Sequence, residues 1–81
     1  MNWIKEMGAR MGDLRRAKGL KQYDVAEKLN IVAHTVSKWE CGTRMITTEH
    51  LRNLAILLDT SVDYLMFGDK DRFKPAGRIS P

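Results

Sequence analysis

Five side chains, Val32, Ala33, His34, Ser37 and Lys38, are left on the outside of a short helical repeat whose inward positions are Val36 and Trp39. The outward set is short or polar, carries one cation and contains no acid. Short side chains let a helix come close to a partner, and Ser, His and Lys can then hydrogen-bond to polar edges. That is the chemistry of reading base edges in a nucleic-acid duplex. Bond-making chemistry is not indicated. There is no phosphate-cradling glycine loop and no nucleophile beside an obvious base. His34 and His50 stand 16 residues apart without a third ligand, so no metal site is expected. No cofactor and no enzyme activity are expected either. Cys41 reads as an inert small residue.

The charge pattern agrees with a polyanionic partner. The net charge is +4 and the isoelectric point about 9.5, but the distribution says more than the total. From Ile31 to Arg44 the only acid is Glu40, against Lys38, Arg44 and the titratable His34. From Thr47 to Asp63 the acids Glu49, Asp59 and Asp63 face Arg52 and His50. One segment is basic and the other acidic, as expected if a single face meets phosphate. Arg44 suits either a phosphate contact or a solvated loop charge. Thr35, facing the turn, suits either a phosphate contact or packing.

Positioning such a set requires helices, and the sequence has helical spacing throughout and no sustained period-two alternation. Met7, Met11 and Leu14 form a first stripe, extended backwards by Trp3 and Ile4 and closed by Gly19. A second helix runs from about Gln22 to Leu29 and buries Val25, Ala26 and Leu29. A third spans about Ala33 to Cys41 and stops at Gly42. Thr47 reads as the N-cap of a fourth, with Ile46 able to staple onto Leu51, and Leu51, Leu54, Ala55 and Leu58 as its stripe. Ser61 caps a short last helix carrying Val62, Tyr64 and Leu65 and ending at Gly68. Tyr64 and Phe67 suit either the core or a dimer face. Asp69 to Pro81, with two prolines and little apolar content, reads as a disordered tail.

The second and third helices meet the steric demands of a helix-turn-helix, whose second helix projects into a major groove roughly 12 Å wide. A close crossing needs a small residue, which Ala26 supplies. The turn needs a residue tolerant of the left-handed conformation, which Asn30 supplies. Val25, Leu29, Ile31, Val36 and Trp39 supply the inward apolar groups.

These residues resemble the Cro/repressor-type helix-turn-helix family, also called the xenobiotic-response-element family. The resemblance covers Met7 to Gly68, through Arg10-Met11-Gly12-Asp13-Leu14-Arg15, Lys18-Gly19-Leu20, Gln22, Val25-Ala26-Glu27-Lys28-Leu29, Thr35-Val36-Ser37-Lys38-Trp39-Glu40 and Val62-Asp63-Tyr64-Leu65. It implies an all-α, compact five-helix, lambda-repressor-like DNA-binding domain over residues 1–68, with its motif at 22–41. The implied partner is a palindromic operator in double-stranded DNA, bound by a homodimer. The implied function is a small bacterial or phage-type repressor acting by operator occupancy. By the same resemblance Gln22 contacts a phosphate and helps to position the third helix. Ala33, His34, Ser37 and Lys38 match base-reading positions, and Arg15 and Glu40 match a charge pair tying the first helix to the end of the third.

The chain departs from that pattern at three positions near helix starts. Lys21 stands where the family has Thr or Ser, Val32 where it often has Ser, and Ile46 where it has proline. Both motif helices therefore lack a side-chain cap, worth about 1 kcal/mol each. Lys21 sits badly on a positive helix end, yet suits a neighbouring phosphate. The rival reading is an antitoxin or protein-interaction partner on the same fold, with the tail folding onto another protein. At 81 residues a single modest core is expected. No apolar run approaches the roughly 18 residues of a membrane span. Lys5 and Glu6 interrupt the apolar run an export signal needs, so a cytoplasmic protein is expected.

Overall fold

The computed structural model describes residues 2–68. It contains five helices, α1 (Trp3–Ala17), α2 (Gln22–Leu29), α3 (Ala33–Cys41), α4 (Thr48–Leu57) and α5 (Val62–Phe67), with no strand among the described residues. The expected tail, Asp69 to Pro81, lies outside them.

Short-range chemistry sets most helix ends. The Asn2 side chain accepts from the Lys5 N–H at 3.1 Å and opens α1. Thr47 Oγ1 accepts from the His50 N–H at 3.4 Å and opens α4, and Ser61 Oγ accepts from the Tyr64 N–H at 2.9 Å and opens α5. At the other ends the chain turns through left-handed residues. Asn30 has φ 60°, and the Ile31 N–H reaches back to the Ala26 carbonyl at 2.9 Å. Gly42 has φ 76°, and the Thr43 N–H reaches the Lys38 carbonyl at 3.0 Å. These back-bonds satisfy carbonyls that a helix end leaves open. Asp59 makes the same turn after α4 with φ 57°, an unusual use of a non-glycine residue that an aspartate tolerates.

The core is assembled from every helix. Met7 and Met11 of α1, Val25 and Ala26 of α2, and Val36 and Trp39 of α3 are buried, as are Leu51, Leu54 and Ala55 of α4 and Leu65 of α5. Ile46, just before α4, and Leu58, its C-cap, are buried too. Three expectations about the core need correction. Trp3 does not continue the buried stripe but is 42% exposed, and Ile4 is half-buried. At this end of α1 the backbone meets Gly42, the C-cap of α3, at Lys5. Leu29 and Ile31 are half-buried rather than enclosed, because they flank the turn at the rim of the core. Leu58 contributes to the core from the cap of α4 rather than from within the helix.

Arg10 has a structural task. Its Nε donates to the Leu65 carbonyl and its Nη2 to the Met66 carbonyl, both at 2.8 Å. A guanidinium presents donors in a rigid fork, so one side chain fastens two carbonyls of α5 to α1. Truncation to Arg10→Ala is expected to cost about 1.5–3 kcal/mol, the range for hydrogen bonds to a charged group, with the loss seen as a lower urea midpoint.

Candidate nucleic-acid interface

The outward face of α3 is defined by what its inward face does. Val36 and Trp39 are buried, and the Trp39 ring stands 5.5 Å from the His50 ring of α4 at an interplanar angle of 44°. With about 3.6 residues per turn, His34, Ser37 and Lys38 then fall on the opposite side, whereas Ala33, expected outward with them, sits at the flank and packs against the core. His34 is exposed, and Ala33, Ser37 and Lys38 are half-buried. Cys41 falls on the same side one turn beyond Ser37 and is exposed. Thr35 is half-buried at the flank, and Arg44 is exposed in the segment after Gly42.

The seating of α3 comes from a polar hub at its far end. Arg15 Nε donates to Glu40 Oε2 at 2.7 Å, and Arg15 Nη2 donates to Glu40 Oε1 at 3.2 Å. Gln22 Nε2 donates to the same Oε1 at 3.0 Å, and Arg15 Nη1 donates to the Leu20 carbonyl at 2.9 Å. One carboxylate therefore joins α1, the start of α2 and the end of α3. Both charged side chains are only 11% exposed. A largely desolvated, fork-shaped pair of this kind fixes geometry more than it adds stability. Gln22, given a phosphate-contacting role by resemblance, gives one of its two amide N–H donors to Glu40, and so orients α3 directly. Glu40→Gln replaces the charge-assisted acceptor with a neutral amide that also opposes the Gln22 donor. It is expected to lower stability by about 1.5–3 kcal/mol, read as a lower thermal midpoint.

Glycine brings α1 and α3 together. A Cβ at Gly8 would collide with the Trp39 carbonyl oxygen and lie 2.6 Å from the Glu40 carbonyl oxygen. The closest crossing in this part of the fold thus needs the absence of a side chain. Nothing in the linear spacing marks Gly8 for that task, since a mid-helix glycine reads as a mild defect.

The starts of the motif helices are open. Neither Lys21 nor Val32 makes a side-chain cap hydrogen bond. At α2 the Asp24 carboxylate accepts from the Lys21 backbone N–H at 2.8 Å, a partial compensation. Lys21 is exposed, and Tyr23, to which the sequence assigned no role, is 60% exposed on the first turn of α2. The signal that could have found Tyr23 is its place between Gln22 and the inward Val25.

Among the described residues no cluster of three or more His, Cys, Asp or Glu could hold a metal ion. No helix there is long and apolar enough to cross a membrane.

Comparison with known proteins adds to this geometry. A family model described as helix-turn-helix matches residues 11–65. The HTH-type transcriptional regulator ImmR of Bacillus subtilis (strain 168) is 36% identical over 64 residues, covering 79% of this chain and 50% of that protein. An uncharacterized HTH-type transcriptional regulator of the same organism, YqaE, is 35% identical over 57 residues, covering 70% of this chain and 49% of that protein. The chain thus spans about half the length of the curated relatives it matches. Among solved structures, the P22 c2 repressor in complex with a synthetic operator superposes with a TM-score of 0.75 at 28% identity, over 78% of this chain and 96% of that one. The restriction-modification controller protein C.AhdI from Aeromonas hydrophila superposes with a TM-score of 0.71 at 30% identity, over 79% and 91%. The fold is therefore all-α and lambda-repressor-like.

Proposed function

The chain belongs to the helix-turn-helix family, and from that membership we propose that it is a sequence-specific DNA-binding transcriptional regulator, a repressor acting by operator occupancy. The observation that carries the reading is the face of α3. An anchored helix turns His34, Ser37 and Lys38 outward with Ala33 at its flank, with no acid in its first turn and Lys38 in its last. The similarity to a repressor held on an operator supports double-stranded DNA as the partner. The antitoxin or protein-partner reading has no comparable observation behind it.

In this reading α3 enters the major groove. Lys38, His34 and Ser37 hydrogen-bond to base edges, and Ala33 allows close approach. Lys21, Gln22, Thr35 and Arg44 meet phosphates and set the register. Arg15 and Glu40 hold the angle of α3, while Ala26, Asn30, Ile31, Val36 and Trp39 shape the motif. A footprint this small gives useful affinity through two protomers on half-sites about 34 Å apart, hence a homodimer on a palindromic operator. The reading carries a cytoplasmic location with it, where a bacterial or phage operator is met.

The test is selection of bound fragments from random duplexes, followed by titration against salt. A defined sequence is expected, with affinity falling steeply as salt rises. Lys38→Ala is expected to weaken binding to that sequence by about 1–3 kcal/mol while leaving the thermal midpoint in place. Arg44→Ala is expected to weaken all sequences alike and to reduce the salt slope by about one. Binding indifferent to sequence would overturn the repressor reading.

A further inference from the structure

We propose that Val32 is a specificity-determining residue that packs against the 5-methyl group of a thymine in the major groove, an inference that rests on the DNA-binding reading above. Val32 is the N-cap of α3, held in an extended conformation at φ −95° and ψ 150°. An N-cap in this conformation favours Ser, Thr, Asn or Asp, whose side-chain oxygen takes up a free helix N–H. Valine cannot do this, and α3 has no side-chain cap hydrogen bond. Nor is the valine compensated by the core, because its side chain is 65% exposed. Val32 therefore forgoes the local stabilisation of a cap without gaining burial.

Its location says what the exposed methyls can meet. Ile56, the other described apolar residue with 65% exposure, belongs to α4. Val32 directly precedes Ala33 and His34, and as the exposed N-cap it stands at the leading end of α3. A helix that enters a groove leads with its N-terminal residues. In the major groove the apolar feature of an A·T pair is the thymine methyl; the remaining edge groups are donors and acceptors. A β-branched side chain is stiff at χ1, so its two methyls form a defined surface rather than a mobile one. Serine in the same place would turn its hydroxyl to the helix N–H groups or to a phosphate and leave the methyl without a partner. The same position thus exchanges a generic cap for a contact that distinguishes thymine from cytosine.

The experiment uses the full chain, an operator selected from random duplexes, and a set of copies in which each thymine in turn is replaced by uracil. Removing the one contacted methyl is expected to weaken the wild-type protein about fourfold, the equivalent of ~0.8 kcal/mol for one methyl group. Val32→Ser is expected to bind the thymine operator about fourfold more weakly than wild type and to show no thymine–uracil difference at that position. Serine is a favourable cap, so its thermal midpoint should equal or exceed that of wild type. The proposal is overturned if Val32→Ser keeps the wild-type thymine–uracil ratio at every position. It is equally overturned if the substitution leaves those ratios alone but shifts the monomer–dimer equilibrium, which would put Val32 against a second copy. Failure of wild type to select any sequence removes the DNA reading itself, and the proposal with it. That result is visible without any variant.

Discussion

Trp39→Ala is expected to abolish the cooperative thermal transition of this protein. The side chain is 3% exposed and links α3 to α4 through its tilted ring contact with His50. Truncating a buried tryptophan to alanine costs about 3–5 kcal/mol, from lost transfer energy and the cavity left behind. A domain of this length buries a smaller share of its surface than a large one and is held by a margin of only about 3–5 kcal/mol. The loss is a large share of that margin, and α3 would lose its fixed seat together with its outward face. Circular dichroism against temperature is the measurement, with Trp39→Phe as the partner variant that keeps a ring in place and retains a transition. Trp3, 42% exposed, serves as the control: Trp3→Ala should leave the midpoint nearly unchanged. A normal melt for Trp39→Ala would mean that α3 is seated by something other than this ring.

Gly8→Ala carries the second large effect, and its sign is the informative part. In an ordinary exposed helix, replacing glycine by alanine stabilises by about 1 kcal/mol, since alanine restricts the unfolded chain and favours the helix. Here the added methyl would meet the backbone carbonyl oxygens of Trp39 and Glu40. Backbone atoms cannot swing aside as a flexible side chain can, so α1 and α3 must separate. Overpacking of this kind costs about 1–3 kcal/mol and sometimes more. We expect a net loss of about 2 kcal/mol after the helix preference is counted. The consequence extends beyond stability, because the same separation pulls Arg15 from Glu40 and loosens the angle at which α3 is presented. DNA affinity should therefore fall even at temperatures where the variant stays folded. Urea midpoints and binding to the selected operator measure the two effects separately. A raised urea midpoint would show that the helices do not cross as closely as described.

These two residues illustrate different kinds of legibility. Trp39 was readable because it repeats with Val36 at helical spacing, and a large aromatic on an inward stripe belongs to a core. Gly8 was not. A glycine within a helix weakens it when read locally, and its use becomes visible only once another helix lies across it.

The sequence by itself determined the elements that local chemistry controls. The bounds of α2 and α3, the left-handed turns at Asn30 and Gly42, the caps at Thr47 and Ser61, and the inward Val25, Ala26, Val36 and Trp39 all follow from interactions spanning about four or five residues. The outward His34, Ser37 and Lys38 follow as well, because a helix with one face committed to the core has the other left over, while Ala33 packs at the flank against the core. Tertiary structure alone decided the rest. It placed Trp3 outside the core, used Arg10 to fasten α5, and drew Gln22 into the Arg15–Glu40 hub through contacts 18 to 56 residues apart in the chain. Such contacts depend on how closely helices cross and where their ends project. Helical spacing does not encode those distances, because it fixes the direction of a side chain about its own axis but not the neighbour that it meets.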